Sequence, residues 1–220
     1  MVRFRCRVVV AVALVASFVV VREGWAGMPT DLLRVQIDRV VKTLEEPDLK
    51  KEGKTRERRA AVRKIAEDIF DFAETAKRSL GRHWPPRTAA ERKEFVDLFA
   101  NLLERSYLSK IELYSGEKIA YLGDTIDGDQ ATVRTRIATK HGTEIPVDYK
   151  MYRHGDRWLV YDVAIEGVSL IANYRTQFNR IIQTSSYQEL VRKMKIKQAE
   201  FSDDRPRTSA SPSRSRLTPA

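Results

Sequence analysis

The sequence predicts an α+β fold, with helices packed around a twisted four-stranded antiparallel sheet, on three observations. Apolar residues recur at steps of three and four between positions 33 and 114. The period falls to two between 119 and 165, where short apolar runs are separated by Gly/Asp clusters. The helical period then returns after Glu166-Gly167. Helical and strand patterns kept apart in this way point to helices laid against one antiparallel sheet rather than to alternating βαβ units.

Thr30 is positioned to cap a first helix over 31–45, where Leu33, Ile37, Val40, Val41 and Leu44 form one stripe, and Glu46-Pro47 ends it. A second helix is expected over about 56–79. Val62, Ile65, Ile69 and Phe72 form its buried side, the dense Arg, Glu and Lys positions form a solvated one, and Gly81 closes it. Arg82-His83-Trp84-Pro85-Pro86 reads as a rigid link. Thr88-Ala89-Ala90-Glu91 has the form of a capping box and opens a third helix, whose Phe95, Leu98, Phe99, Leu102 and Leu103 make a wide apolar face. Tyr107, Ile111 and Tyr114 continue that side toward Gly116.

Four strands are expected over 119–122, 132–139, 147–152 and 158–165. Their joints are the turn clusters Gly123-Asp124 with Asp127-Gly128-Asp129, Lys140-His141-Gly142-Thr143, and His154-Gly155-Asp156. Connections this short require antiparallel neighbours. Val133, Thr135 and Ile137 alternate with Arg134 and Arg136, so the two arginines face outward if the apolar side faces the helices. A helix with Ile171, Tyr174, Phe178, Ile181 and Ile182 follows. A second box, Ser186-Tyr187-Gln188-Glu189, opens a last helix with Leu190, Val191 and Met194.

The N-terminus sets the compartment. Arg3, Arg5 and Arg7 precede an apolar run over 8–21, too short for the roughly 20 residues of a spanning helix, and Gly24-Trp25-Ala26 supplies the small residues of a cleavage site. Residues 1–26 are therefore expected to be a cleaved signal peptide, 27–201 one domain of the secreted protein, and 202–220, rich in Ser, Pro and Arg, a disordered tail. Cleavage removes the chain's single cysteine, Cys6, and with it disulfides, thiolate metal sites and a cysteine nucleophile. Losing four arginines and one glutamate lowers the net charge from +10 to +7. A basic exported protein is expected to meet anionic headgroups or acidic partners and no nucleic acid.

Little catalytic chemistry is visible. His83, His141 and His154 have no second ligand at metal spacing, and no phosphate-binding Gly-rich loop, nucleophile elbow or His-Glu-x-x-His occurs. Asp148, Asp162 and Glu166 lie in or next to strands, which leaves a carboxylate pair for acid/base work open without singling one out. No cofactor is called for. Periodicity also leaves open whether the helices pack flush on the sheet or stand off it around a cavity.

The stretch from Trp158 onward, Trp-Leu-Val-Tyr-Asp-Val-Ala-Ile-Glu-Gly-Val-Ser-Leu-Ile-Ala-Asn-Tyr-Arg-Thr-Gln-Phe, closely resembles a hallmark segment of one family. That family is the periplasmic phospholipid-binding component of the Mla (maintenance of lipid asymmetry) pathway, also described as toluene-tolerance auxiliary transport proteins. Asp71-Phe72, Leu80-Gly81-Arg82-His83-Trp84, Glu94-Phe95 with Phe99 and Leu103, and Val147-Asp148-Tyr149 follow its order, so the resemblance covers roughly 28–200. It implies a non-enzymatic periplasmic carrier whose helices and sheet enclose an apolar pocket for phospholipid tails. It also implies traffic between an inner-membrane ABC transporter with a periplasmic ring of MCE domains and an outer-membrane lipoprotein-porin complex. On that reading Phe99, Leu103, Val133, Ile137, Tyr149, Met151, Val160, Val168 and Ile171 are expected to border the lipid.

Overall fold

The computed structural model describes residues 28–140 and 142–203; the expected signal peptide, His141 and the tail beyond 203 lie outside the described residues. The elements run α1 (Pro29–Glu45), α2 (Pro47–Lys50), α3 (Thr55–Ile69), α4 (Phe72–Leu80), a 3-10 turn (Gly81–His83), α5 (Ala89–Glu112), β1 (Lys118–Asp127), β2 (Gln130–Ala138), β3 (Glu144–His154), β4 (Arg157–Ile165), β5 (Val168–Ser169), α6 (Leu170–Thr184) and α7 (Tyr187–Asp203). The strands form one antiparallel meander in chain order. The α+β class is as expected, with five strands rather than four.

Local chemistry explains the departures. Pro29 opens α1 from its first turn, where a missing N–H costs nothing. Thr30 is inside the helix and does not cap it; its hydroxyl and amide both donate to Asp124 of β1, at 2.7 and 3.0 Å. The long second helix is broken at Phe70-Asp71. There the chain turns extended, the Asp71 amide donates to the Val160 carbonyl at 2.9 Å, and the Asp71 carboxylate accepts from the Glu74 amide at 2.8 Å to cap α4. The apolar stripe runs on through the break, so periodicity alone does not reveal it. The Thr88–Glu91 capping box forms with both reciprocal bonds. Of the second box only the half from Ser186 to the Glu189 amide forms, because the Glu189 carboxylate pairs with Arg192 and Lys193 instead. Helix α7 continues through Ser202 and Asp203, past the expected boundary at 201.

Two register shifts decide which side chains share a face. One falls at Leu122 in β1, and the other makes Tyr161 an extra residue of β4, since Lys150 pairs with Asp162 while Met151 pairs with Val160. The second shift puts Val160, Val163 and Ile165 on one face, although simple alternation would separate the first from the other two. The β4–β5 hairpin turns through Glu166 (φ 50°) and Gly167 (φ 79°), two consecutive left-handed residues that match the strand twist.

The buried carboxylate of Asp162 ties these pieces together. It accepts from the Ser169 hydroxyl at 2.6 Å and the Ile171 amide at 3.1 Å, and it pairs with the Lys150 ammonium at 3.2 Å. Three donors from β3, the end of β5 and the first turn of α6 thus converge on one charge, which fixes where α6 leaves the sheet. Replacing Asp162 by Ala is expected to destabilise the fold by about 3 kcal/mol, because it strands those donors. Urea denaturation measures this; an unchanged midpoint would refute the latch.

Candidate functional site

Buried apolar side chains gather in three separate clusters. Phe95, Phe99, Phe178, Tyr187 and Leu190 form the largest, among α4, α5, α6 and α7. Leu33 and Ile69 cover Ala131, Val133, Met151, Trp158 and Val160 at one end of the sheet. Leu44, Val62 and Leu108 join α1, α3 and α5. The other end of the same sheet face carries Ile119, Tyr121, Ile137, Ile145, Tyr149, Val163 and Ile165, all only half-buried.

In the second half of α5 every side chain over 100–107 is half-buried, on all sides of the helix. A helix packed flush would bury one stripe and expose the other. Ion pairs hold it to α3 instead: Arg63 to Glu104 at 2.8 Å, and Arg58 and Arg59 to Glu112 at 3.2 and 2.8 Å. The bond from Arg59 is the main cause that keeps the Glu112 carboxyl below its ordinary range. Long guanidinium arms thus fasten this part of α5, while its principal packing partners are α7 and α4.

Burial pushes the Tyr149 phenol up to about 12, and the half-buried side chain packs against the cluster beneath Leu33 and Ile69. The ring thus sits at the border between the sealed end of the sheet face and its half-buried end. Tyr121, which interacts with Tyr149 from β1, has a buried hydroxyl without a partner, and Arg34 covers its ring at 4.5 Å.

The structure places the sequence-derived residues in three groups. Leu103, Ile137 and Tyr149 are half-buried; Leu103 packs against the helical cluster, Tyr149 against the cluster beneath Leu33 and Ile69, and Ile137 lies at the half-buried end of the sheet face. Val133, Met151 and Val160 share the face of Ile137 and Tyr149, as expected, but are sealed under Leu33 and Ile69, while Phe99 and Ile171 are buried among the helices and at the start of α6. Val168 stands apart, 60% exposed on the edge hairpin. Val163 and Ile165 lie on the same sheet face, but simple alternation hides this because the Tyr161 bulge shifts their phase. Tyr107 and Tyr174, which meet across α5 and α6, showed only as apolar-stripe positions. The three carboxylates do not converge on a reactive centre: Asp162 is taken up by its three donors, Asp148 lies opposite Arg134 on the outer face, and Glu166 is exposed in a turn. Among the described residues no cluster of His, Cys, Asp or Glu is arranged to hold a metal.

Residues 34–196 match the family model described as MlaC protein. The chain belongs to the MlaC family. A relative in Haemophilus influenzae, the intermembrane phospholipid transport system binding protein MlaC, is 27% identical over 120 residues; the match takes in 52% of this chain and 56% of that relative's length. The phospholipid-binding protein from Ralstonia solanacearum, solved in complex with a phospholipid, superposes with a TM-score of 0.72 at 24% identity, over 80% of this chain and 99% of that one. This MlaC-family chain therefore shares its fold.

The position of Tyr149 has a consequence at high pH. Its proton is held more tightly in the folded state, about 12 against an ordinary 10. The corresponding stability is complete below pH 10 and is lost as pH rises through 10 to 12. Thermal melts of Tyr149→Phe are expected to lose stability less steeply than wild type over that window; parallel curves would show that the phenol is not buried.

Proposed function

We propose that this MlaC-family protein is a periplasmic phospholipid carrier, shuttling lipid between the outer membrane and an inner-membrane ABC transporter through the transporter's MCE-domain ring and an outer-membrane lipoprotein-porin complex. The observation that carries the reading is membership of the MlaC family, together with the half-buried apolar side chains at one end of the sheet and along the second half of α5, which would line a space for lipid tails. The lipid-bound Ralstonia protein of the same fold supports it. The leader over 1–26 supports export by signal-peptide cleavage.

The energetics favour such a device. A diacyl phospholipid has on the order of 30 methylenes, and exposing them costs roughly 25 kcal/mol at about 0.8 kcal/mol each, so free diffusion across an aqueous compartment is very slow. Moving tails from a bilayer into an apolar gap exchanges one hydrocarbon surrounding for another and is close to neutral. The headgroup stays at the mouth, where its charge keeps water. Such a protein catalyses no covalent step; direction comes from its partners.

Two measurements test the reading. Organic extraction of purified protein and lipid mass spectrometry are expected to recover phospholipid at a stoichiometric level; its absence would overturn the proposal. Ile137→Trp or Ile165→Trp, which would fill the space in front of the half-buried end of the sheet, are expected to cut lipid occupancy several-fold while leaving the circular dichroism spectrum unchanged. Full occupancy in both would place the lipid elsewhere.

A further inference from the structure

The two edges of the sheet are finished differently. At one, β5 takes up the end of β4, and farther along Phe70 bridges to Val160 while the Asp71 amide donates to the Val160 carbonyl. The chain closes that edge itself. At the other, β1 presents ten residues, and among the described residues no strand, turn or loop amide bonds to its far side. Helix α1 meets β1 on the inner face, through Thr30 on Asp124 and Arg34 over Tyr121. An open edge of this length is a template for another strand. Its apolar side chains also reach water: Leu122 is 51% and Ile126 42% exposed.

The register shift at Leu122 decides which strand fits. A bulge usually guards an edge, because it breaks the phase that a regular partner would need. Here it falls at the middle of β1, and Ile119, Tyr121, Asp124 and Ile126 lie opposite Ile137, Thr135, Val133 and Ala131 of β2. Alternate residues of one strand share a face and a hydrogen-bonding phase, so these four share both, two before the bulge and two after it. A second β1 run antiparallel therefore matches them all. Ile119 meets Ile126, Tyr121 meets Asp124, and the two-fold axis passes between Leu122 and Gly123. The same register sets Lys118 against Asp127 at each end. Both are exposed, and among the described residues neither has an ion-pair partner.

We propose that β1 is a self-association edge, on which a second copy of this chain adds its own β1 antiparallel and joins the two sheets into one. The contact is isologous, and each chain has one such edge, so the assembly closes at two copies and does not grow. Backbone pairing and the Ile119–Ile126 contacts supply the attraction. The end charges fix the register, since exposed ion pairs add little attraction of their own.

Sedimentation velocity of the protein without residues 1–26, over a series from low to high micromolar concentration, tests this. Wild type is expected to pass from monomer to dimer within the series, because a contact this small gives at best moderate affinity. Lys118→Asp sets acid against Asp127 and is expected to weaken the dimer about tenfold, as is Asp127→Lys. The two together restore opposite charges and are expected to return the affinity to within about twofold of wild type. Damage to the fold would not be rescued in this way. Cys6, the only cysteine, is absent from this protein, so an introduced thiol is alone in each copy. Leu122→Cys, beside the axis, is expected to form an intermolecular disulfide on mild oxidation, whereas Thr125→Cys, about 17 Å from its mate in this register, is not. A wild type that stays monomeric throughout overturns the proposal and leaves the edge to a strand of another protein. A dimer that ignores both charge reversals, or that crosslinks through Thr125→Cys and not Leu122→Cys, overturns it as well.

Discussion

A single carboxylate sets the geometry on which the helix and sheet layers depend. Asp162 sits in the strand that carries Val163 and Ile165 of the half-buried apolar face, and the groups it binds come from β3, from the end of β5 and from the first turn of α6. A buried charge is tolerable only when its lone pairs are met by donors, so the carboxylate and the departure of α6 are fixed jointly. Because α6 carries Phe178 and Tyr174 against Phe99 of α5, its start also decides where the large helical cluster stands relative to the sheet. Asp162, one of three carboxylates that the sequence leaves open for acid/base work, is thus a mechanical joint.

The same economy governs α5. A void in a protein interior costs about 2 kcal/mol for each 100 Å³ left unfilled, so a helix standing off a sheet needs something to prevent collapse. Here the sheet-facing end of the fold is propped from outside: Glu104 and Glu112 are held by arginines of α3, while the first half of α5 is packed hard through Phe95 and Phe99. The second half of the helix keeps one core contact of its own, Leu108 with Leu44 and Val62, while its remaining side chains over 100–107 stay half-buried. An occupant that fills such a space with methylenes recovers part of the cost, which couples loading to stability.

Basic residues divide along the same lines. Arg134 and Arg136 lie exposed on the outer sheet face, where Arg136 pairs with Glu144 at 2.9 Å and Arg134 donates to Thr125 at 3.1 Å. Arg78 and Arg153 lie over the rings of Tyr161 and Trp158 at 3.9 and 5.2 Å. Much of the positive charge is therefore spent locally, on carboxylates, carbonyls and rings, and a net charge alone does not locate a binding surface.

Class, element order and most boundaries were legible in the sequence, since period, capping boxes and Gly/Asp turns are local and each is written within a few residues. The inward side of the middle strands was legible too, because Val133 and Ile137 alternate with arginines. The sequence by itself also determined the family, through the long stretch from Trp158 onward. Tertiary structure alone decided the rest. The break at Phe70-Asp71 exists because Val160 offers a carbonyl to the Asp71 amide, across ninety or so residues of chain. The Tyr161 bulge changes the phase of β4 and turns Val163 and Ile165 onto the same face as Val160. Above all, an apolar residue has the same periodicity whether it is sealed, as Val133 and Met151 are, or left half-buried, as Ile137 and Ile145 are. Periodicity records which way a side chain points; only the distance to the opposing layer decides whether anything fills the space in front of it.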